Sequence, residues 1–219
     1  MLNEYLAEYE RVKVDVAKAR ASRTSLLSSE FDKRRGLVRK YSWAIPNAEA
    51  LDTIASFGPI VEMGAGTGYW AALLRARGVR VDAFDIEPPT FDGSRKNHYH
   101  DATRTWTHVT RGSVEKLSAP ALAVPLGGYL RGRLVRDRLG VDKRTLMLCW
   151  PPYSDSFASK ALAAFRGNRV VYIGEGGRGC TGDDAFHETL DRDWIHERNV
   201  HIPQWDEIHD YLGVFRRNV

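Results

Sequence analysis

The first part of the chain has apolar residues at helical spacing. Residues 2–21 carry them at steps of three and four, which is typical of an amphipathic helix. A second helical segment is predicted from 25 to about 35, and Gly36 would end it. We therefore expect residues 1–40 to form an N-terminal helical extension ahead of a larger domain.

From residue 41 to 219, short apolar runs alternate with helical segments. Short apolar runs bounded by turn residues are typical of strands that are buried on both faces of a sheet. The predicted strands lie at 60–63, 79–84, 106–110, 144–150, 168–173, 200–203 and 211–215. The predicted helices between them lie at 46–57, 69–77 and 155–165. This alternation predicts an α/β domain with a mostly parallel sheet.

The most informative stretch runs from Pro59 to Asp85 and predicts a strand, a glycine turn, a helix and a second strand. Gly64, Gly66 and Gly68 allow positive φ and let a ligand lie close to the backbone. Such a turn leaves free N–H groups at a helix N-terminus, beside the carboxyl end of a strand. Asp85, at the tip of the second strand, suits the hydroxyl groups of a ribose. The stretch therefore predicts a nucleotide-binding turn.

The spacing of this turn distinguishes between kinds of nucleotide. A dinucleotide fingerprint, Gly-x-Gly-x-x-Gly, would need glycine where the chain has Tyr69. The chain has instead Glu62 two residues before the first glycine, which gives Glu-x-Gly-x-Gly-x-Gly over 62–68. This pattern resembles motif I of the class I S-adenosylmethionine-dependent methyltransferases. The structural alternative is a glycine turn that only leads a strand into a helix.

The resemblance to class I methyltransferases covers residues 41–219. It implies a Rossmann-like, seven-stranded sheet of order 3-2-1-4-5-7-6 with an antiparallel C-terminal hairpin, and S-adenosylmethionine as the cofactor. The residues that it assigns to the cofactor site are Tyr41, Trp43, Glu62, Gly64, Ala65, Gly66, Gly68, Tyr69, Asp85, Ile86, Gly112, Ser113 and Trp150. More narrowly, the segments EMGAGTGYWA, LCWPPY, VYIGEG and IPQW resemble those of uncharacterised methyltransferase-like proteins of bacteria, fungi and phages.

A second motif, Trp150-Pro-Pro-Tyr153, follows the strand predicted at 144–150. Ligands of open parallel sheets bind beyond the carboxyl ends of the strands, so we expect this turn and the glycine turn to face one cleft. The motif resembles the Asn/Asp-Pro-Pro-Tyr sequence of enzymes that methylate amino groups of adenine, cytosine or glutamine. That resemblance implies that the Pro151 carbonyl accepts a hydrogen bond from the target amine and that Tyr153 stacks on the substrate.

The second motif departs from that pattern at its first position. Because Trp150 replaces the polar residue, only the Pro151 carbonyl is left as an acceptor for an amine. We assign Trp150, Pro151, Pro152 and Tyr153 to the substrate site. The structural alternative is a turn that ends a strand and is stiffened by its prolines.

Methyl transfer does not always need a base. If one is needed, Glu175 is the first candidate, because it lies at the carboxyl end of the strand after Trp150. Asp155 and His187 are weaker candidates, and Glu175 could equally be structural because it lies in a glycine-rich turn. With Pro151 and Tyr153, Glu175 completes the set of expected catalytic residues.

The chain offers few ligands for a metal ion. His98, His100 and Asp101 are close in sequence, but no further cluster accompanies them, and no metal is expected. The two cysteines, Cys149 and Cys180, form no Cys-x-x-Cys pair, which favours a reduced protein without structural zinc. The charged N-terminus is unlike a signal peptide and no apolar run could span a membrane, so we expect a cytoplasmic protein.

Positive charge is concentrated in two segments. The net charge is +4, and basic residues crowd 33–40 and 131–144, the second largely within a predicted basic insertion near 118–142. Either segment could contact the phosphates of DNA or RNA, or could be a solvated helix surface. The sequence therefore predicts a methyltransferase whose acceptor is a nucleobase or a related planar molecule. The alternatives are a small-molecule N- or O-methyltransferase and a cofactor-binding module in which Trp150 fills the acceptor site.

Overall fold

The computed structural model describes residues 2–21, 27–90, 97, 104–118, 143–177 and 179–218. One sheet runs through these residues in the order β3-β2-β1-β4-β5-β7-β6. Its strands are β1 (Ile60–Met63), β2 (Val81–Asp85), β3 (Thr110–Arg111), β4 (Thr145–Cys149), β5 (Arg169–Gly174), β6 (Trp194–Val200) and β7 (Tyr211–Arg217). The first five strands are parallel, whereas β7 is antiparallel to both β5 and β6. The predicted strand order and terminal hairpin are confirmed.

Helices cover both faces of the sheet. They are α1 (Glu4–Ala21), α2 (Leu27–Lys40), α3 (Ala48–Ala55), α4 (Tyr69–Arg75), α5 (Glu115–Ser118), α6 (Phe157–Ala164) and α7 (Asp184–Asp193). Successive strand residues point to opposite faces. Ile60 accordingly packs in one buried cluster with residues of α3 and α4, and Val61 packs in another with residues of α6 and α7. Both faces of β1 are therefore buried, which is why its sequence is a continuous apolar run apart from Glu62.

The N-terminal helices pack into the main core. The ring of Tyr5 is fully buried and stacks on Tyr41, with centroids 4.9 Å apart and planes 8° from parallel. The backbone N–H of Tyr5 also donates to the hydroxyl of Tyr69, the first residue of α4, at 3.1 Å. Leu37 of α2 belongs to the same buried cluster. Helix α1 is thus joined directly to the element that follows the glycine turn.

Several predicted boundaries were wrong for identifiable reasons. Helix α2 continues through Gly36 to Lys40, because a single glycine costs only about 1 kcal/mol inside a helix. Strand β6 occupies 194–200 instead of 200–203; its five inner residues are exposed, so no apolar run marks it. Strand β3 is only two residues long, because Trp106 leaves the sheet and stacks on Tyr41.

Helix α3 also begins later than predicted. Its N-cap is Asn47, whose side-chain oxygen accepts a hydrogen bond from the N–H of Ala50, so the helix starts at Ala48 and not at Pro46. No helix in the described part of the chain is both long and apolar enough to cross a membrane. Residues 119–142 of the predicted basic insertion lie outside the described residues.

Candidate active site

A cavity of about 210 Å³ lies beyond the carboxyl ends of β1, β2 and β4. The glycine turn and the Trp150-Pro-Pro turn both line it, as the sequence predicts. The predicted site residues that the structure brings together there are Trp43, Glu62, Gly64, Ala65, Gly66, Asp85, Ile86, Ser113, Trp150, Pro151 and Pro152. Lining residues that sequence reasoning missed include Ser42, Trp70, Asn97, Val114, Cys149, Phe157 and Lys160.

The glycine turn opens one side of this cavity. Gly64, Gly66 and Gly68 have φ values of +73°, +53° and +72°, in the left-handed region that side chains rarely adopt. A Cβ atom at Gly64 would come within 3.3 Å of the Phe157 ring, and one at Gly68 within 2.7 Å of the Val109 side chain. The turn therefore depends on glycine both for its backbone conformation and for the space around it.

Asp85 ties the glycine turn to the end of β2. Its Oδ2 accepts a hydrogen bond from the backbone N–H of Gly66 at 2.8 Å. Its Oδ1 accepts from the N–H of Glu87 and from Nδ2 of Asn97, each at 2.9 Å. Burial raises the pKa of Asp85 above its ordinary value, against the lowering effect of these three hydrogen bonds. The carboxylate is thus held in a fixed position at the cavity wall.

Glu62 places a buried carboxyl group in the cavity lining. Only 2% of the residue is exposed, and Oε2 has no hydrogen-bond partner among the described residues. Burial raises the pKa of Glu62 to about 8, against the opposing positive charge of Arg75. A buried polar atom without a partner costs free energy, so this carboxyl suits a ligand that donates hydrogen bonds.

Trp150 lines the same cavity in an unusual backbone conformation. Its φ of +51° is uncommon for a bulky residue. The indole stacks on Trp43 with centroids 5.2 Å apart and planes 11° from parallel. Its Nε1 donates to Oδ2 of Asp210 at 2.9 Å. Burial raises the pKa of Asp210 to about 6, and its Oδ1 has no partner in the described part of the chain. Asp210 was missed because it is 60 residues away in sequence.

The turn after Trp150 is joined to the loop that follows β5. The Pro151 carbonyl accepts a hydrogen bond from the N–H of Gly182 at 2.8 Å, and Pro152 forms an isolated bridge with Thr181. Tyr153 is 62% exposed and lines a separate surface groove with Gly177, Gly179 and Gly182. The Pro151 carbonyl therefore has a partner within the protein, and Tyr153 lies outside the cavity lining.

Glu175, the expected base, also lies outside the cavity lining. Its Oε2 accepts from the N–H of Cys180 at 2.8 Å, and its Oε1 accepts from the N–H of His209 at 2.9 Å. Burial alone would raise the pKa of Glu175, but these hydrogen bonds and the charge of His209 have the larger combined effect. The pKa of Glu175 therefore lies below its ordinary value. The carboxylate of Glu175 thus joins two loops.

The other two base candidates differ in position. The His187 ring bonds the Thr181 carbonyl, whereas Asp155 is the one of the three candidates that lines the cavity.

Four other residues that were assigned to the cofactor site are not among the residues that line the cavity. Tyr41 is fully buried, and its hydroxyl donates to Glu8 at 2.7 Å. The hydroxyl of Tyr69 lies 3.1 Å from Oδ1 of Asn3. Gly68 packs against Val109 and Gly112 against Lys116. Sequence patterns could find these residues but could not tell which side of the turn they face.

The candidate metal ligands and the two basic segments are only partly covered by the structure. His98, His100 and Asp101 lie outside the described residues, and no group of three candidate metal ligands occurs among those described. In the first basic segment, Lys33 pairs with Asp15 at 3.7 Å and Lys40 with Glu8 at 2.7 Å. In the second, residues 131–142 are not described, and the mostly buried Arg144 pairs with Asp82 at 3.0 Å.

No protein-family model matches the chain, and no curated protein sequence matches it. Solved structures do resemble it. Magnesium protoporphyrin IX methyltransferase from Synechocystis PCC 6803, with S-adenosylmethionine bound, is 12% identical and has a TM-score of 0.44, over 78% of this chain and 79% of that one. A Burkholderia thailandensis 1,6-didemethyltoxoflavin-N1-methyltransferase is 15% identical with a TM-score of 0.46, over 97% and 90%.

The N-methyltransferase NodS from Bradyrhizobium japonicum WM9 is also similar, at 12% identity and a TM-score of 0.46, over 88% of this chain and 99% of that one. At such identities these similarities identify neither a cofactor nor an acceptor for this chain. The strand order carries the fold assignment: five parallel strands are followed by an antiparallel β7 inserted between β5 and β6. The chain has the class I methyltransferase fold.

Proposed function

We propose that this protein is an S-adenosylmethionine-dependent methyltransferase that acts on a planar acceptor. The observation that carries the proposal is the arrangement around the glycine turn. One cavity at the carboxyl ends of adjacent parallel strands is lined by Gly64, Gly66, Asp85 and Glu62. The carboxylate of Asp85 is held by the N–H of Gly66, and Oε2 of Glu62 has no partner among the described residues. Ligands of open α/β sheets bind at this position.

The chemistry of the cavity fits the proposed cofactor. Asp85 offers carboxylate oxygens to ribose hydroxyls, and the neighbouring Ile86 is 54% exposed and offers an apolar contact to a purine ring. Ser113 and Val114 line the same side. Glu62 offers the acceptor that the amino group of the methionine part requires, which would satisfy its Oε2. Such a ligand would therefore meet both buried carboxyls with hydrogen-bond donors.

When bound, S-adenosylmethionine supplies an electrophilic methyl group. The residues of this chain have two tasks, to align the acceptor and to exclude water, and alignment alone can contribute roughly 7–11 kcal/mol. A neutral nitrogen or a thiolate needs no strong base. For an acceptor that must lose a proton, Asp155 is the favoured base over Glu175, because Asp155 lines the cavity and both oxygens of Glu175 accept hydrogen bonds from backbone N–H groups.

The wall formed by Trp43, Trp150, Pro151 and Pro152 supports a planar acceptor, either a nucleobase or a related molecule. Lys33 and Lys40 are paired with carboxylates of α1, which reduces the positive charge that this segment offers to a nucleic acid. That observation favours a free small molecule, the second candidate, over a base within DNA or RNA.

Transfer of a labelled methyl group tests the proposal. The protein is incubated with methyl-labelled S-adenosylmethionine and, separately, with DNA, RNA, nucleosides and an extract of cell metabolites. We expect label in an aromatic acceptor, and none with the Gly66→Val variant. Binding of S-adenosylhomocysteine without transfer to any acceptor would indicate a cofactor-binding module. Absence of both binding and transfer would refute the proposal.

A further inference from the structure

The indole of Trp150 is fixed from three directions. On one face it stacks against Trp43, 5.2 Å away between ring centroids. At its edge, Nε1 donates to Oδ2 of the buried Asp210 at 2.9 Å. Its backbone N–H donates to the Ile173 carbonyl at 2.8 Å, which holds the residue at the end of β4 in spite of its φ of +51°. A side chain fixed in this way forms a rigid wall of the cavity.

This wall has few hydrogen-bond acceptors to offer. The indole nitrogen is a donor only, and its partner Asp210 is not among the residues that line the cavity. The Pro151 carbonyl uses one of its two lone pairs on the N–H of Gly182, at 2.8 Å. Neither Pro151 nor Pro152 has an N–H group, and their rings are aliphatic. A ligand that lies against these residues therefore meets aromatic and aliphatic surface.

We infer that Trp150 is the specificity-determining residue of the proposed acceptor site. It selects a flat aromatic ring and disfavours a ring whose exocyclic amine points at this wall. The inference rests on the proposed function. An amine in that position would lose hydrogen bonds to water, and at this wall it would gain at most the second lone pair of the Pro151 carbonyl, without the side-chain acceptor that an asparagine would supply. Apolar pockets discriminate against an added polar group only moderately, so the expected preference is about tenfold.

Adenine and 6-methylpurine form a suitable pair of probes, because they share one bicyclic shape and differ only in an amino or a methyl group. Both are titrated calorimetrically into protein saturated with S-adenosylhomocysteine, so that the cofactor's own adenine site is filled. We expect 6-methylpurine to bind about ten times more tightly than adenine. Equal binding, tighter binding of adenine, or binding of neither purine would overturn the inference.

The Trp150→Asn variant tests the role of the residue itself. Asparagine tolerates positive φ better than tryptophan does, so the backbone strain at this position is reduced. Its side-chain oxygen can also accept a hydrogen bond from the exocyclic amine of adenine. We expect the preference to shift at least tenfold toward adenine. A Trp194→Phe variant is the matched control: it changes a tryptophan outside the cavity lining and leaves the preference as it is. An unchanged preference in Trp150→Asn would contradict the inference.

A second variant protects the test against misfolding. Trp43→Leu removes the stacking partner and keeps an apolar side chain, so both purines should bind about tenfold more weakly while the backbone at Trp150 is untouched. Unchanged binding of both purines would count against an aromatic wall.

Titration of S-adenosylhomocysteine alone into each variant is done first. If it fails to bind the unmodified protein, the proposed function fails; if it binds and the purine results differ from those expected, only the inference about Trp150 fails.

Discussion

Two turns meet at the cavity, and they reach similar backbone conformations by different means. The strands before them are parallel neighbours, with Met63 of β1 beside Leu148 of β4. After β1 the positive φ values belong to glycines, and after β4 the positive φ belongs to Trp150. Glycine needs no outside support in this region, whereas a bulky residue there costs about 1–3 kcal/mol and persists only when its surroundings hold it. The first turn leaves space for a ligand, and the second fills space with a supported side chain.

The two turns also differ in polarity. Glu62 and Asp85, both nearly fully buried, lie on the side of the first turn. On the side of the second, Trp43, Trp150 and the two prolines supply aromatic and aliphatic surface. We propose that the cofactor lies on the side of the first turn and the acceptor on the side of the second, where Asp155 also lines the cavity. Substitutions on the two sides of the cavity test this division.

The largest effect is expected at Gly66. Valine there would be strained at a φ of +53° and would extend a branched side chain into the cavity. We expect Gly66→Val to abolish measurable binding of S-adenosylhomocysteine by calorimetry. Gly78→Val is the control, since Gly78 also has positive φ, at +80°, but no atom lies within 4 Å of the added Cβ. That variant should lose stability and keep its affinity; equal losses of affinity would show that strain alone is responsible.

The next effect concerns the dependence of stability on pH. Burial raises the pKa of Glu62 from 4.5 to about 8, so between these values the folded protein retains a proton that the unfolded chain releases. The free energy of unfolding should therefore fall as pH rises through this window and level off above it. The Glu62→Gln variant lacks this contribution, which is on the order of 5 kcal/mol.

Denaturant unfolding from pH 4.5 to 9 measures the difference between the two proteins. We expect Glu62→Gln to gain stability relative to the unmodified protein as pH rises. The exposed Glu188 gives a control, Glu188→Gln, which should follow the unmodified protein at every pH. Parallel curves for Glu62→Gln and the unmodified protein would contradict a buried, unpartnered carboxyl.

A smaller loss is expected at Asp85. Asparagine keeps one oxygen but cannot accept at both positions or carry the charge, so the bonds to Gly66 and to a ribose are weakened together. A hydrogen bond to a charged group contributes about 1.5–3 kcal/mol. The Asp85→Asn substitution should therefore lower the affinity for S-adenosylhomocysteine by about 10- to 150-fold. Glu87→Gln should leave the affinity nearly unchanged. The reverse result would transfer the ribose contact to Glu87.

The smallest effect is expected at Tyr153. Its ring is 62% exposed and lines a groove outside the cavity, so Tyr153→Ala should change the dissociation constants of S-adenosylhomocysteine and 6-methylpurine by less than about twofold. The sequence motif had suggested a stacking role for this ring. A loss of about 1–3 kcal/mol in purine binding, the range for a base stacked on an aromatic side chain, would restore that role and weaken the case for Trp150.

The sequence predicted the strands and turns that are marked by a local residue pattern. Strands buried on both faces are apolar runs, so β1, β4 and β5 were found nearly to the residue. The glycine turn was found because its conformation needs glycine at fixed spacing. The exposed edge strand β6 lacks both signals, so it was displaced by several residues.

The site residues that were missed contact residues that are far from them in sequence. Asn97 reaches Asp85 from a loop without a motif, and Asp210 reaches Trp150 across 60 residues. The positions of Tyr153 and Glu175 depend on how the loop after β5 joins the second turn, which neighbouring residues do not specify. Local sequence therefore found the cavity-lining residues of the first turn better than the contacts around the second turn.

The central claim is that the first turn holds S-adenosylmethionine. Parallel thermal unfolding with S-adenosylhomocysteine and with NADH tests it most directly. At about 100 times its dissociation constant, S-adenosylhomocysteine should stabilise the protein by roughly 2.7 kcal/mol and raise the melting temperature, while NADH leaves it unchanged. A rise with NADH and none with S-adenosylhomocysteine would contradict the account.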